Sequence, residues 1–251
     1  MRDLYYLLKG WCYFGLRFQC PFCQTRLRKF LPGGFNFPVL LEKQVVGGGP
    51  RAHDLCPRCN ASDRERLVYL YLLHKTNVFK DKLRLLHIAP EENLKKVLST
   101  KSNIDYVSGD LFMDSVSVKM DVTAIPYDSA SFEAIICNHV LEHIPDDRRA
   151  LAELYRVLKP GGWAILQVPI SLTLEATYED AAITTPAARG EAFGQEDHVR
   201  LYARDYRDRL ADAGFLVEEF HWRESPREFG GKENRFGLLE EETVYLARKE
   251  A

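Results

Sequence analysis

The feature that most restricts the fold is residues 117–169, where an apolar run, a charged amphipathic run, a Gly-Gly turn and a second apolar run follow one another. Residues 132–137 are too short and too uniformly apolar for a surface helix, as expected of a strand buried on both faces. Pro145-Asp146-Asp147 then opens a helix whose positions Leu151, Leu154, Val157 and Leu158 share one face. Lys159-Pro160-Gly161-Gly162 stops it, and residues 163–168 run as the next strand. Strand, helix and strand in that order make one βαβ unit of a parallel sheet and place the chain in the α/β class. Ligands of open α/β sheets bind beyond the carboxyl ends of the strands, so Asn138, His139, Glu142 and His143 stand where a site is expected.

A second constraint lies near the amino terminus. Cys20-Pro21-Phe22-Cys23 and Cys56-Pro57-Arg58-Cys59 are two knuckles in which paired thiolates can face one metal, and together they supply the four sulfurs that tetrahedral Zn²⁺ prefers. The glycines between them suit a zinc ribbon of short hairpins. Four protein ligands leave no open position, so such a zinc is structural. Two disulfides, a redox dithiol, or His53 as a ligand are the competing readings, and the first needs an oxidising compartment. Cys137 reads as a buried core thiol.

Charge is uneven. Nine Lys/Arg against three acids leave residues 1–60 at +6, although the whole chain carries −2. The balance argues against a protein that coats nucleic acid by bulk electrostatics. Arg26, Arg28, Lys29, Arg51 and Arg58 nevertheless offer phosphate contacts if the ribbon grips RNA. No stretch approaches the length of ~18 apolar residues that crosses a bilayer, so no membrane insertion and a cytoplasmic location are expected. Residues 1–18 are an aromatic segment, read as a helix broken near Gly10 that packs as a flap on the main domain; a segment lying on a membrane surface is the alternative. Residues 19–60 form the ribbon and residues 61–80 a linking helix, with Ser62 as cap and Glu65 three residues on.

The run from Asp121 to Asp146, followed by residues 156–169, resembles the central part of class I S-adenosylmethionine-dependent methyltransferases of the type 11 kind. The likeness in motif order and spacing covers roughly residues 82–222. It implies a Rossmann-like domain over residues 81–251, with a seven-stranded, mostly parallel sheet, helices on both faces, and a final hairpin over 215–222 and 242–247. It also implies S-adenosylmethionine as cofactor. In that family the turn after the first strand is Gly-rich and preceded by an acid. Here Ala89, Glu91 and Asn93 occupy the glycine positions and His87 the acid's. The layout of ribbon plus this turn is similar to a bacterial methyltransferase subgroup of poorly defined substrate.

The resemblance places the cofactor's aminoacyl end at His87, Ala89, Glu91 and Asn138, with free N–H groups at the helix opening over 90–94 to meet its carboxylate. Asp110, 23 residues after His87, is expected to accept from both ribose hydroxyls, with Leu111 beside it. Asp121 takes the position that meets the adenine amino group, with Val122 along the ring. Residues 171–199 correspond to a family insert that shapes the acceptor pocket, read here as irregular. His143, Arg200 and Tyr202 are expected to line that pocket, with His139 or His198 as general base; a capping or ion-pairing role is the plain alternative for each. Residues 224–241 read as an exposed connector. The function expected is methyl transfer to a small molecule. RNA methylation through the basic ribbon, and a non-catalytic zinc-ribbon protein with a degenerate methyltransferase domain, are the rivals. The sequence carries no signal for an oligomeric state.

Overall fold

A computed structural model describes residues 2–251, with side chains from residue 5 onward; Met1 and the side chains of residues 2–4, part of the expected aromatic segment, lie outside the described residues. The main elements are helix α1 (Arg2–Cys12), helix α2 (Asp63–Lys75), strand β1 (Leu83–Ile88), helix α3 (Glu92–Leu98), strands β2 (Ile104–Asp110), β3 (Val118–Lys119) and β4 (Phe132–Asn138), and helix α4 (Asp147–Val157). Strand β5 (Leu158–Gln167), helices α5 (Pro186–Phe193) and α6 (Tyr206–Asp212), and strands β6 (Leu216–His221) and β7 (Thr243–Arg248) complete the set.

One seven-stranded sheet carries the order β6-β7-β5-β4-β1-β2-β3. Strands β1 to β5 run parallel, and β7 lies antiparallel between β5 and β6. The expected terminal hairpin is therefore present. Because successive side chains point to opposite faces, the strands bury two cores. Leu86, Ile88, Ile135 and Cys137 meet α4 and α6 on one face. Leu85, Ala134, Ile136 and Ile165 meet α2 and α3 on the other. Helix α4 follows its amphipathic pattern: Asp146 caps it by accepting from Arg149 N, and Leu151 and Leu154 are fully buried. Leu158 belongs to the following strand, one residue past the predicted helix.

Several expectations are corrected. Helix α1 runs through Gly10 unbroken, with Gly10 against the ribbon's Arg58 side chain and Tyr6 bordering a cavity shared with Glu92, Asn93 and Lys96. The ribbon begins before residue 19, because Phe14–Gln19 pairs with Arg26–Leu27. Residues 171–199 are folded. Thr185 and Gly194 cap α5, and Tyr178–Glu179 pairs with Arg200–Leu201. The connector 224–241 is anchored through Phe229 and Leu238, both buried in the β-sheet core. Nor does the ribbon stand apart. Its loop Val45–Val46 pairs with Ile170–Ser171 beyond β5, and Leu40 packs with Phe193 of α5.

Candidate cofactor and acceptor site

The carboxyl ends of β1, β2 and β4 converge on a cleft of about 410 Å³ lined by Ile88, Ala89, Asp110, Leu111, Asp121, Val122, His139 and His143, among others. It lies where the strand order reverses between β1 and β4, the expected place for a ligand in such a sheet. Its size falls in the ordinary range for small-molecule sites.

At the β2 end, Asp110 Oδ1 accepts from Phe112 N at 2.7 Å and Met113 N at 2.6 Å. One carboxylate oxygen thus shapes the turn. Asp121 repeats the device, with Oδ1 accepting from Thr123 N and Thr123 Oγ1, both at 2.8 Å. Leu111 is half exposed beside Asp110, and Val122 is buried.

The turn after β1 keeps a left-handed residue without glycine. Ala89 has φ +45°, and its N–H donates to Gly109 O at 2.8 Å, which ties the turn to β2. His87, fully buried, bridges the Tyr106 hydroxyl at 3.0 Å and Glu91 Oε2 at 2.8 Å. Asn138 Nδ2 donates to Glu91 Oε1 at 3.0 Å. Burial pushes the Glu91 carboxyl upward, but these two partners outweigh it and hold the group below the usual carboxylate range. The polar residues in this turn therefore form one wired set, His87–Glu91–Asn138. The amides of α3 are not free as expected. Glu65 of α2 accepts from Asn93 N at 2.8 Å and Leu94 N at 3.0 Å. Ser62 does cap α2 by accepting from Glu65 N, while the Glu65 carboxylate serves the neighbouring helix.

The far end of the cleft is built by residues beyond β4. His139 takes φ +53°, and its Nδ1 lies 2.9 Å from Arg64 NH1. Arginine only donates, so Nδ1 is the acceptor and Nε2 carries the proton. That Nε2 is buried with no partner among the described residues. Burial, then the Arg64 and Arg51 cations, keep this imidazole well below its ordinary pKa and neutral. Beside it, burial pushes Glu142 up to about 8. Burial and the neighbouring His143 take His198 down to about 4. The rings of His143 and His198 meet edge to face, with centroids 4.7 Å apart.

Arg200 and Tyr202 differ from expectation. Arg200 is buried and donates to the carbonyls of Leu141, Ile144 and Pro145, with Glu179 as its close ion pair. It borders a separate cavity of about 600 Å³ outside the cleft. Tyr202 is fully buried, its hydroxyl donating to Asp147 Oδ2 at 2.6 Å. Both sit at the strand pair that anchors the insert, which turns their side chains into the domain. Arg51, expected as a phosphate contact, is also withdrawn, pairing with Asp54 and Asp63 at 2.9 and 2.8 Å. Arg26, Arg28 and Lys29 stay exposed. Sequence reading missed Arg64 and the ribbon glycine Gly47, whose carbonyl accepts from both Arg64 and Arg51. The one usable signal was the position of Arg64 in the first turn of the linking helix.

The cysteines gather as expected, all four Sγ atoms lying within 4.8 Å of one another. Cys20–Cys59 and Cys23–Cys56 Sγ separations are 3.5 and 3.8 Å. These exceed the disulfide length of about 2.05 Å and match the edge of about 3.8 Å implied by a tetrahedron with 2.3 Å metal–sulfur bonds. The knuckles are alike: Gln24 N donates to Cys20 O and Asn60 N to Cys56 O, and both Gln24 and Asn60 have positive φ. His53 remains outside the cluster, its ring against Phe18.

Residues 77–166 match the model of a family described as "Methyltransferase domain". The match spans strands β1 to β4 and all but the last residue of β5. The chain as a whole resembles the crystal structure of the [4+2]-cyclase SpnF, with a TM-score of 0.51 at 16% identity, over 87% of this chain and 100% of that one. That likeness establishes the fold of the domain, and fold alone does not fix chemistry. A demethylmenaquinone methyltransferase of Clavibacter sepedonicus is 41% identical over 49 residues, 20% of each chain. The ubiquinone/menaquinone biosynthesis C-methyltransferase UbiE of Klebsiella pneumoniae is 27% identical over 117 residues, 41% of this chain and 47% of that protein. The chain spans a fifth to about half the length of these curated relatives. Among the described residues no helix is long and apolar enough to cross a membrane.

Proposed function

We propose that the protein transfers a methyl group from S-adenosylmethionine to a small-molecule acceptor. The observation that carries this reading is the pair Asp110 and Asp121, both lining the cleft and each with one carboxylate oxygen fixed by its own turn. Asp110 would hold the ribose hydroxyls and Asp121 the adenine amino group, with Leu111 and Val122 flanking the ring. Glu91, oriented by His87 and Asn138, would accept from the ammonium of the aminoacyl end, and Ala89 lets the backbone approach. The sulfonium cofactor supplies an already activated methyl group, so the protein's task is alignment and exclusion of water.

His139 offers the acceptor a hydrogen bond from Nε2. It is a poor proton acceptor, because Arg64 occupies Nδ1. The depressed pKa of His198 likewise weakens it as a base at neutral pH. His143 stands at the cleft wall, and Gly47 lies against Arg64 and the His139 ring behind it. The relatives named for quinone biosynthesis support a small-molecule acceptor. The four cysteines would hold a structural Zn²⁺ that fixes the ribbon and thereby the Gly47 loop against Arg64.

The reading is tested by calorimetric titration of zinc-replete protein with S-adenosylhomocysteine, repeated on Asp110→Asn. The substitution keeps Oδ1 for the turn amides and replaces the ligand-facing oxygen by a donor. Two hydrogen bonds to a charged acceptor at about 1.5 kcal/mol or more each correspond to about 100-fold weaker binding. Equal affinity in both proteins, or no binding to the wild type, removes the proposal.

A further inference from the structure

Glu142, His143 and His198 each bring a ligand atom within 4.8 Å of the other two. Glu142 and His198 are buried, at 2% and 6% exposure, while His143 opens onto the cofactor cleft. Glu142 Oε2 is buried with no hydrogen-bond partner among the described residues. A carboxylate oxygen in that position is costly unless something compensates it.

The two segments that carry these residues are far apart in sequence and are locked together. Val199 N donates to Glu142 O at 2.9 Å. The Arg200 guanidinium donates to Leu141 O, Ile144 O and Pro145 O at 2.8, 2.5 and 2.9 Å, gripping the turn that presents Glu142 and His143. Arg200 is thus a positioning residue for the cluster. The surroundings also have the character of an outer metal shell, where carboxylates and carbonyls orient imidazole ligands. Asp197 Oδ2 lies 3.1 Å from His143 Nδ1.

We propose that Glu142, His143 and His198 form a divalent-metal site at the acceptor end of the cleft, which takes an acceptor through an ionisable oxygen. Two imidazoles and one carboxylate suit first-row divalent ions and leave coordination positions open. An ion there would favour the deprotonated form of a phenol, enol or hydroxyl coordinated through its oxygen. The acceptor's role rests on the methyltransferase reading, whereas metal binding stands or falls by itself.

The experiment is titration of the zinc-loaded protein with Co²⁺, followed by visible absorption, with S-adenosylhomocysteine binding measured in parallel. The result expected is uptake of one Co²⁺ per chain, with nitrogen/oxygen ligand-field bands and no thiolate charge-transfer band. His198→Ala and Glu142→Gln should each weaken uptake at least about 10-fold, the lower bound set by what outer-shell partners alone contribute. Both should keep the wild-type affinity for S-adenosylhomocysteine. Absence of Co²⁺ uptake outside the cysteines, or uptake unchanged in both variants, overturns the site. Loss of S-adenosylhomocysteine binding with Co²⁺ uptake intact would instead sink the cofactor reading and leave the metal site standing. If His198→Ala does not fold by circular dichroism, the nearly isosteric Glu142→Gln decides.

Discussion

Replacing Arg66 by Met tests whether ribbon, linking helix and connector are one structural unit. Arg66 is fully buried in α2, and all five of its N–H groups are used. Nε donates to Phe236 O; NH1 to Asp54 O and Ala61 O; NH2 to His53 O and Gly237 O, at 2.6 to 2.9 Å. The guanidinium also covers the Phe30 ring at 3.8 Å. Methionine approximates the volume and takes the donor from the carbonyls of His53, Asp54, Phe236 and Gly237, while Ala61 O keeps Cys56 N. At about 1 kcal/mol for each buried group left unpaired, the loss is about 4 kcal/mol. That is roughly a quarter or more of the 5–15 kcal/mol available to a folded domain. For a chain of this length it corresponds to a fall in Tm of roughly 8–16 °C. The assay is thermal unfolding by far-UV circular dichroism on zinc-replete protein. A single transition shifted by that amount is expected. A shift below about 3 °C would refute the accounting, and two separate transitions would refute the single unit.

Two further outcomes follow from the same region. Glu242 is buried and its pKa is raised to about 7, first by burial and then by Asp63, against the opposing Arg64 and Arg51 cations. The folded state therefore binds the proton more tightly than the unfolded chain, so this stabilisation is complete below pH 4.5 and declines as pH rises to about 7. Glu242→Gln should match wild type at pH 4 and exceed it by up to about 3 kcal/mol at pH 8 in urea unfolding; a parallel offset at all pH values would contradict this. Gly34 has φ +92°, and a Cβ there would lie 2.0 Å from Gly49 O. Gly34→Ala should cost at least about 2 kcal/mol and lower turnover by displacing the Gly47 loop from Arg64, whereas an unchanged Tm would show that the loop yields freely.

The sequence by itself determined the elements whose cause is local. Periodicity and the Gly-Gly stop gave β4, α4 and β5; the two Cys-Pro-x-Cys knuckles gave the sulfur cluster; Ser62 and Asp146 gave their caps. Each depends on spacings of a few residues, which a chain displays openly. What only the tertiary structure decided depends on partners distant along the chain. Glu65 looks like half of a capping box, yet its carboxylate is taken by amides 28 and 29 residues away. Arg200 looks like a pocket cation, yet carbonyls 55 to 59 residues earlier claim it. Arg51 counts toward a basic ribbon until Asp54 and Asp63 neutralise it in the interior. A buried charge must be satisfied by whatever groups the fold brings to it. Residue type therefore announced that these side chains need partners, and packing alone chose which.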